Sequence, residues 1–296
     1  AESTERQSIC CMARQPDVLT RREFIREAGA ALSAAVVLRP DWHPDLDGLT
    51  PLGAQLWTVR NLASKNLEGT LASIAAIGYR EVEFAGYYDI PAGSICKILK
   101  STGLSAPSAH IRFEDLRDGI TPALTAARIL GHKHLIFAWI PEPERTRDGY
   151  LRIADALNRA GKITAPYGIK VGYHNYSYDF MTSGSQRMYD LILENTDPAI
   201  VSMEMDVYWI IAGGGDPIEY LHKHTGRYRL IHIKDMLGDS AHTMVDVGDG
   251  VVDWPAILGE AKRAGAEHFI IEHDEPVDPL RSLRRSYRFV RSLALR

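Results

Sequence analysis

In the second half of this 296-residue chain, acids and imidazoles recur two residues apart inside otherwise apolar runs. Glu204 and Asp206 flank Met205, His232 and Lys234 flank Ile233, and Glu272 and Asp274 follow Ile271. His174-Asn175 ends another such run, and upstream Glu83, His110 and Trp139 stand within or at the ends of three more. Successive side chains of a strand point to opposite faces, so each pair shares one face while Met205, Ile233 and Ile271 turn to the other. A charge inside an apolar strand costs several kcal/mol unless it is paired or bound to metal. Three strands carrying that cost together point to one common site. An Asp, a His and a Glu brought together suit Mn²⁺, Zn²⁺, Co²⁺ or Mg²⁺, with the carboxylates lending the harder character. The candidate metal ligands are therefore Asp206, His232 and Glu272. The bland alternatives are an ion-pair network, with Glu204 anchoring Lys234 and Glu83 pairing with Arg80, and a hydrogen-bonded core role for His174.

The elements that must position these groups are short strands alternating with amphipathic helices. Apolar runs at 52–57, 81–85, 105–110, 134–139, 169–174, 200–206, 229–233 and 268–273 read as strands. Helical spacing follows each of them, at 67–77, around 95–99, and at 121–130, 149–165, 185–193, 217–224, 254–264 and 280–293. Gly78, Gly103 and Gly131 stand where glycine commonly closes a helix. Strands alternating with helices mean parallel βαβ units, since a parallel connection needs a crossover of a dozen or more residues. Eight in series, with no glycine-rich phosphate loop after the first strand, predict a closed (β/α)8 TIM barrel forming a single catalytic domain over 49–296. Catalytic groups of such barrels lie at the C-terminal ends of the strands, where the paired polar residues fall.

Composition narrows the partners. The formal net charge of −4 argues against nucleic acid, which needs a basic face. No apolar run is long enough to span a bilayer. Cys10, Cys11 and Cys96 lack zinc-site spacing and the density of a disulfide scaffold. Residues 1–48 read as a leader: Arg21-Arg22 precedes a modest apolar segment at 28–38, the pattern of a twin-arginine export signal. A periplasmic or otherwise exported protein is expected, and a cytoplasmic one if the leader does not function. The alternative for this segment is an amphipathic surface helix.

With these residues assembled, the chain resembles the sugar phosphate isomerase/epimerase superfamily of xylose isomerase-like barrels, in an exported branch. The resemblance runs through Tyr173-His174-Asn175, Glu204-Met205-Asp206-Val207-Tyr208-Trp209, His232-Ile233-Lys234-Asp235-Met236, Val247-Gly248-Asp249-Gly250 and Ile271-Glu272-His273-Asp274-Glu275. Gln55-Leu56-Trp57 and Glu81-Val82-Glu83-Phe84 extend it toward the N-terminus, so that it covers roughly 52–296. It implies a divalent metal held by Asp206, His232 and Glu272 with a fourth ligand from strand five. Many members carry Glu there, whereas this chain places Gly172 at the corresponding position, leaving His174, Asp179, Glu204 or water as the fourth ligand.

The chemistry that the resemblance implies is proton abstraction beside a carbonyl, through a metal-stabilised enediolate, by an isomerase or epimerase of a sugar or keto-sugar. Glu204 and His174 are the candidate bases and Lys234 the candidate acid or electrostatic stabiliser. Glu83, His110, Trp57, Trp139 and Trp209 are the candidate substrate contacts, the tryptophans as faces for a sugar ring. A lyase or hydratase acting on a 3-keto-sugar or glycoside shares the first step and stands as the alternative. A non-catalytic exported sugar-binding protein and an abasic-site endonuclease are the readings from other classes. The acidic balance and the leader count against the endonuclease. Oligomeric state, including a homo-oligomer, is left open.

Overall fold

Eight short apolar runs become eight parallel strands. In the computed structural model, which describes Leu49 and residues 51–293, they are β1 (Leu52–Gln55), β2 (Glu81–Phe84), β3 (Ser105–Ile111), β4 (His134–Phe137), β5 (Lys170–His174), β6 (Val201–Asp206), β7 (Tyr228–Ile233) and β8 (His268–Ile271). Each pairs with its sequence neighbours, and β8 closes on β1 through Leu52↔Phe269, Gly53↔Ile270 and Ala54↔Ile271. The twin-arginine-like segment, with Arg21 and Arg22, lies outside the described residues.

Helices fill the crossovers: α1 (Leu67–Ile77), α2 (Ala92–Thr102), α3 (Thr121–Leu130), α4 (Arg147–Thr164), α5 (Met188–Asn195), α6 (Pro217–Lys223), α7 (Trp254–Arg263) and α8 (Pro279–Leu293). Their ends follow local chemistry. Asn66, Thr146, Asp216 and Asp253 accept backbone N–H bonds as N-caps of α1, α4, α6 and α7. Gly103 and Gly131 close α2 and α3 at φ 69° and 82°, a conformation that costs a residue with a Cβ. None of the described helices is long and apolar enough to cross a membrane.

The strand alternation sorts side chains as expected. Met205, Ile233 and Ile271 pack outward into the large core between strands and helices. Inside the barrel, Ile136, Leu230 and Ile270 form a separate small apolar cluster. Gly172 lies against it: a Cβ there would come within 2.5 Å of Ile136 Cδ1. The barrel therefore has an apolar floor, with inward polar residues above it at the C-terminal mouth and below it at the N-terminal mouth.

Several boundaries differ from the expectation. Trp57 and Trp139 do not sit on strands: β1 ends at Gln55 and passes into a 3-10 turn (Leu56–Val59), and β4 ends at Phe137. Lys234 and Glu272 lie one residue past β7 and β8. Residues 185–187 belong to a small hairpin (Thr182–Ser183 with Gln186–Arg187) rather than to α5. Helical turns at Arg60–Ala63, Phe113–Asp118 and Val207–Ala212 were not expected, because each is too short to show a period.

Candidate active site

The C-terminal mouth of the barrel gathers inward side chains from seven strands and their ends. Gln55, Glu83, His174, Glu204, Asp206, His232, Lys234 and Glu272 are all buried, with at most a few per cent exposure, and His110 is partly accessible. Imidazoles and carboxylates interlock. His232 Nε2 lies 2.7 Å from Glu83 Oε2 and 3.3 Å from Glu204 Oε1. His174 Nδ1 meets Glu204 Oε2 at 3.0 Å, and His110 Nε2 meets the same oxygen at 2.9 Å. Gln55 Nε2 donates to Glu83 Oε2 at 2.6 Å.

Each of these contacts uses one atom of its group and leaves the other. His174 Nε2, His232 Nδ1, Asp206 Oδ2 and Glu272 Oε2 are buried atoms without an aligned hydrogen bond. They converge: His174 Nε2 is 3.6 Å from Asp206 Oδ2, which is 3.8 Å from His232 Nδ1, which is 2.8 Å from Glu272 Oε2. Asp206 Oδ1 is meanwhile occupied by the Trp209 N–H at 3.1 Å, as N-cap of the turn Val207–Ala212. Asn175 ties the backbone on both sides, donating to the Asp206 carbonyl and accepting from the Asp206 N–H. Four buried imidazole and carboxylate atoms that lie this close together, without an aligned hydrogen bond among them, fit a cation. Two imidazole nitrogens and two carboxylate oxygens, with His174, His232 and Asp206 each held by a partner on the other side, make the donor set and outer support of a transition-metal site.

The other candidate residues distribute around this point. Asp179 is not among the donors. It is buried in the loop after β5, accepting from the Tyr150 hydroxyl and from Tyr176 N at 2.7 Å, and burial pushes its carboxyl up to about 7. Gly172 leaves no place for the Glu that resembling enzymes carry, since Ile136 fills the space where a side chain would start. Glu204, a candidate base, faces three imidazoles. Burial acts to raise it, but His232 and the hydrogen bonds from His110 and His174 hold it well below the usual carboxylate range. Glu83, a candidate substrate contact, is fully buried behind His232 and His110 and is likewise held low against burial.

Lys234 extends into the same cluster, its Nζ 2.9 Å from Asp206 Oδ2, 2.9 Å from Glu272 Oε2 and 3.0 Å from Asp274 Oδ1. Burial would lower it, but these three carboxylates raise it well above the ordinary lysine range. Asp274, to which no role was assigned, is raised by burial to about 6 even with Lys234 beside it. His174 is lowered, chiefly by burial, and presents a neutral imidazole.

An aromatic wall rises from His174. Tyr176 is 5.0 Å from the His174 ring and 5.3 Å from Trp209, and Trp139 stands edge-on to Tyr176 at 5.5 Å. Lys234 Nζ lies 5.7 Å from the Trp209 ring centre. Trp139 is 54% exposed, with Arg145 over its ring at 4.8 Å. Trp57 is exposed after β1, with Arg60, which donates to the Asp274 carbonyl at 2.6 Å, stacked over its ring at 4.4 Å. Tyr176 was missed as a wall residue: its signal is an aromatic two positions past His174, which is visible only once the loop bends back.

Comparison with known proteins agrees with this geometry. Residues 47–293 match the family described as xylose isomerase-like TIM barrel. The inosose dehydratase of Salmonella agona is 26% identical over 251 residues, 71% of this chain and 82% of that protein. A crystal structure of a sugar phosphate isomerase/epimerase from Parabacteroides distasonis superposes with a TM-score of 0.70 at 25% identity, covering 80% of this chain and 96% of the other. The IOLI protein, solved with a bound zinc atom, has the same fold at 16% identity and a TM-score of 0.65, over 82% of this chain and 98% of that one. The named relatives are enzymes, and this chain is an enzyme of their broad kind. It belongs to the xylose isomerase-like TIM barrel family.

Proposed function

We propose that the chain is a divalent-metal-dependent enzyme that removes a proton beside the carbonyl of a polyhydroxy ketone and expels the neighbouring hydroxyl as water. The observation that carries this reading is the convergence of four buried donor atoms, His174 Nε2, Asp206 Oδ2, His232 Nδ1 and Glu272 Oε2, at the C-terminal mouth, two of them also contacted by Lys234. The zinc in the IOLI structure and the inosose dehydratase relatives support it. A metal in that position supplies electrophilic polarisation of the substrate's oxygens.

The protein's own groups then divide the proton work. Asp274, raised to about 6, is ionised at neutral pH yet basic enough to accept a carbon-bound proton. Lys234, 3.0 Å away and fully charged, is the donor for the departing hydroxyl. The balance is a C–H and a C–O bond broken, a C=C bond formed in conjugation with the carbonyl, and one water released. Trp139, Tyr176 and Trp209 give the ring a flat apolar surface and keep bulk water from its other face.

Epimerisation or isomerisation is the second reading, favoured by the Parabacteroides relative. It requires that a proton be returned to carbon, in epimerisation on the opposite face. The paired proton-moving groups here are Lys234 and Asp274, and the strand-five position where resembling enzymes carry Glu is Gly172, with no acid or base. That asymmetry favours elimination. The test is proton NMR in D₂O with an inosose and a 3-keto-glucoside. Loss of water from the inosose, or of the aglycone alcohol from the 3-keto-glucoside, with appearance of an unsaturated ketone is expected. Deuterium uptake beside the carbonyl without either loss would transfer the assignment to isomerisation, and no change with any keto-substrate would overturn the reading.

A further inference from the structure

The opposite end of the barrel carries a second set of imidazoles and carboxylates that the reaction does not use. His134 and His268 open β4 and β8, Glu267 immediately precedes β8, and a donor atom from each of the three lies within 4.8 Å of the others. His134 is 3% exposed, and its ring stands edge-on to that of His268 at 5.8 Å.

Every one of these groups is held on its far side. His134 Nδ1 is 3.3 Å from Ser202 Oγ. His268 Nδ1 is 2.9 Å from Glu81 Oε2. Glu267 Oε1 accepts from Arg229 Nη1 at 2.8 Å. What remains is His134 Nε2, His268 Nε2 and Glu267 Oε2, none of which makes a hydrogen bond among the described residues; His134 Nε2 and Glu267 Oε2 face each other at 3.9 Å. An imidazole whose Nδ1–H is held by a carboxylate or hydroxyl presents its Nε2 lone pair in a fixed direction, the outer support that histidine ligands characteristically have. Burial, with His268 nearby, pushes His134 down to about 3, so its ring is neutral and the lone pair available at ordinary pH. Hydrogen bonding to the Glu81 carboxylate raises His268 against burial, which makes protons the competitor there.

We propose that His134, His268 and Glu267 form a second transition-metal site at the N-terminal mouth, with Zn²⁺ the best-suited ion and water in the fourth position. Two imidazoles and one carboxylate with an open position is an established tetrahedral zinc donor set. Zinc with bonds near 2.0–2.1 Å separates its ligand atoms by roughly 3.4 Å. The 3.9 Å gap then closes by a small movement of Glu267, which is half exposed and free to make it. The apolar floor of Ile136, Leu230 and Ile270 separates this site from the first.

Titration of the demetallated full-length chain with Zn²⁺ alone, followed by desalting and elemental analysis, tests it. Wild type should retain two equivalents. Glu267→Gln, a rim substitution that leaves packing intact, and His134→Gln should each retain one, with binding of the other weakened roughly a hundredfold or more. Turnover on keto-substrates should be unchanged in Glu267→Gln. His232→Ala should lose the other equivalent and keep this one, so the two sites fail independently. A single equivalent in wild type would overturn the proposal. So would a second equivalent that survives both His134→Gln and Glu267→Gln, as it would if zinc sat on the exposed His222–Glu260 pair.

Discussion

At the C-terminal mouth, five carboxylates (Glu83, Glu204, Asp206, Glu272 and Asp274) crowd around one lysine and three imidazoles. At the N-terminal mouth, Glu81 faces His268 and Glu267 faces Arg229, one cationic partner for each acid. The two ends are built from the same residue types on the same strands, only a few residues apart, with an apolar floor between them. Their difference is charge balance. The upper cluster has more buried negative charge than its own groups neutralise, and buried charge in that excess calls for a cation from outside. The lower one is nearly neutral without a metal, so an ion there would be an addition rather than a necessity. Catalytic power is thus expected only above the floor.

The largest effect should come from breaking the upper cluster. Asp206→Asn removes the charge that faces both His174 and Lys234, and turnover should fall by about a thousandfold or more, since the electrophile contributes several kcal/mol. Circular dichroism should remain that of the folded barrel. Activity within tenfold of wild type would return Asp206 to a structural role.

Next comes the acid limb of stability, which isolates the lower end. His134 titrates at 6.5 when unfolded and near 3 when folded, so the unfolded chain binds the extra proton between those values. In metal-free protein its contribution is complete above pH 6.5 and is lost as the pH falls toward 3, on the order of a few kcal/mol. His134→Gln should flatten that slope in urea titrations at several pH values. An unchanged slope would mean that His134 is already charged in the native state.

The floor itself can be pressed. Gly172→Ala places a Cβ against Ile136 Cδ1 and should destabilise the barrel by about 1–3 kcal/mol, read as a lower urea midpoint. Glu at the same position should be worse, and a stable, active Gly172→Glu protein would contradict the packing described. Smallest of all, Trp139→Ala should raise KM a few-fold with little change in kcat, because the ring contributes a face and no proton; a kcat loss would give the wall a part in the chemistry.

Much of this was legible in the sequence where side chains obey the period of a strand. Asp206, His232 and Glu272 share the inward parity of three adjacent strands, with Asp206 and His232 directly in register, so alternation pointed all three to one mouth. The fourth donor was not readable, because His174 and Asp179 differ only in how the loop after β5 folds. That fold turns Asp179 onto Tyr150 and leaves His174 facing Asp206. Glu83 looked like a substrate contact for a related reason. Its partners Gln55 and His232 lie 28 and 149 residues away, and nothing local announces them. Trp139 was assigned to a strand end because its apolar run continues past the point where pairing stops. Asp274 was visible as the second member of its pair, but its raised carboxyl depends on burial beside Lys234, a property of the assembled mouth.

The most direct test of the central claim is the metal content of the purified chain reconstituted with Mn²⁺, Zn²⁺ or Co²⁺, wild type against His232→Ala, with the lower site disabled in both by Glu267→Gln. The account predicts about one equivalent in the first protein and none in the second, since His232 Nδ1 stands between Asp206 and Glu272. Equal metal in the two, or none in either, would contradict it and leave the upper cluster as an ion-pair network.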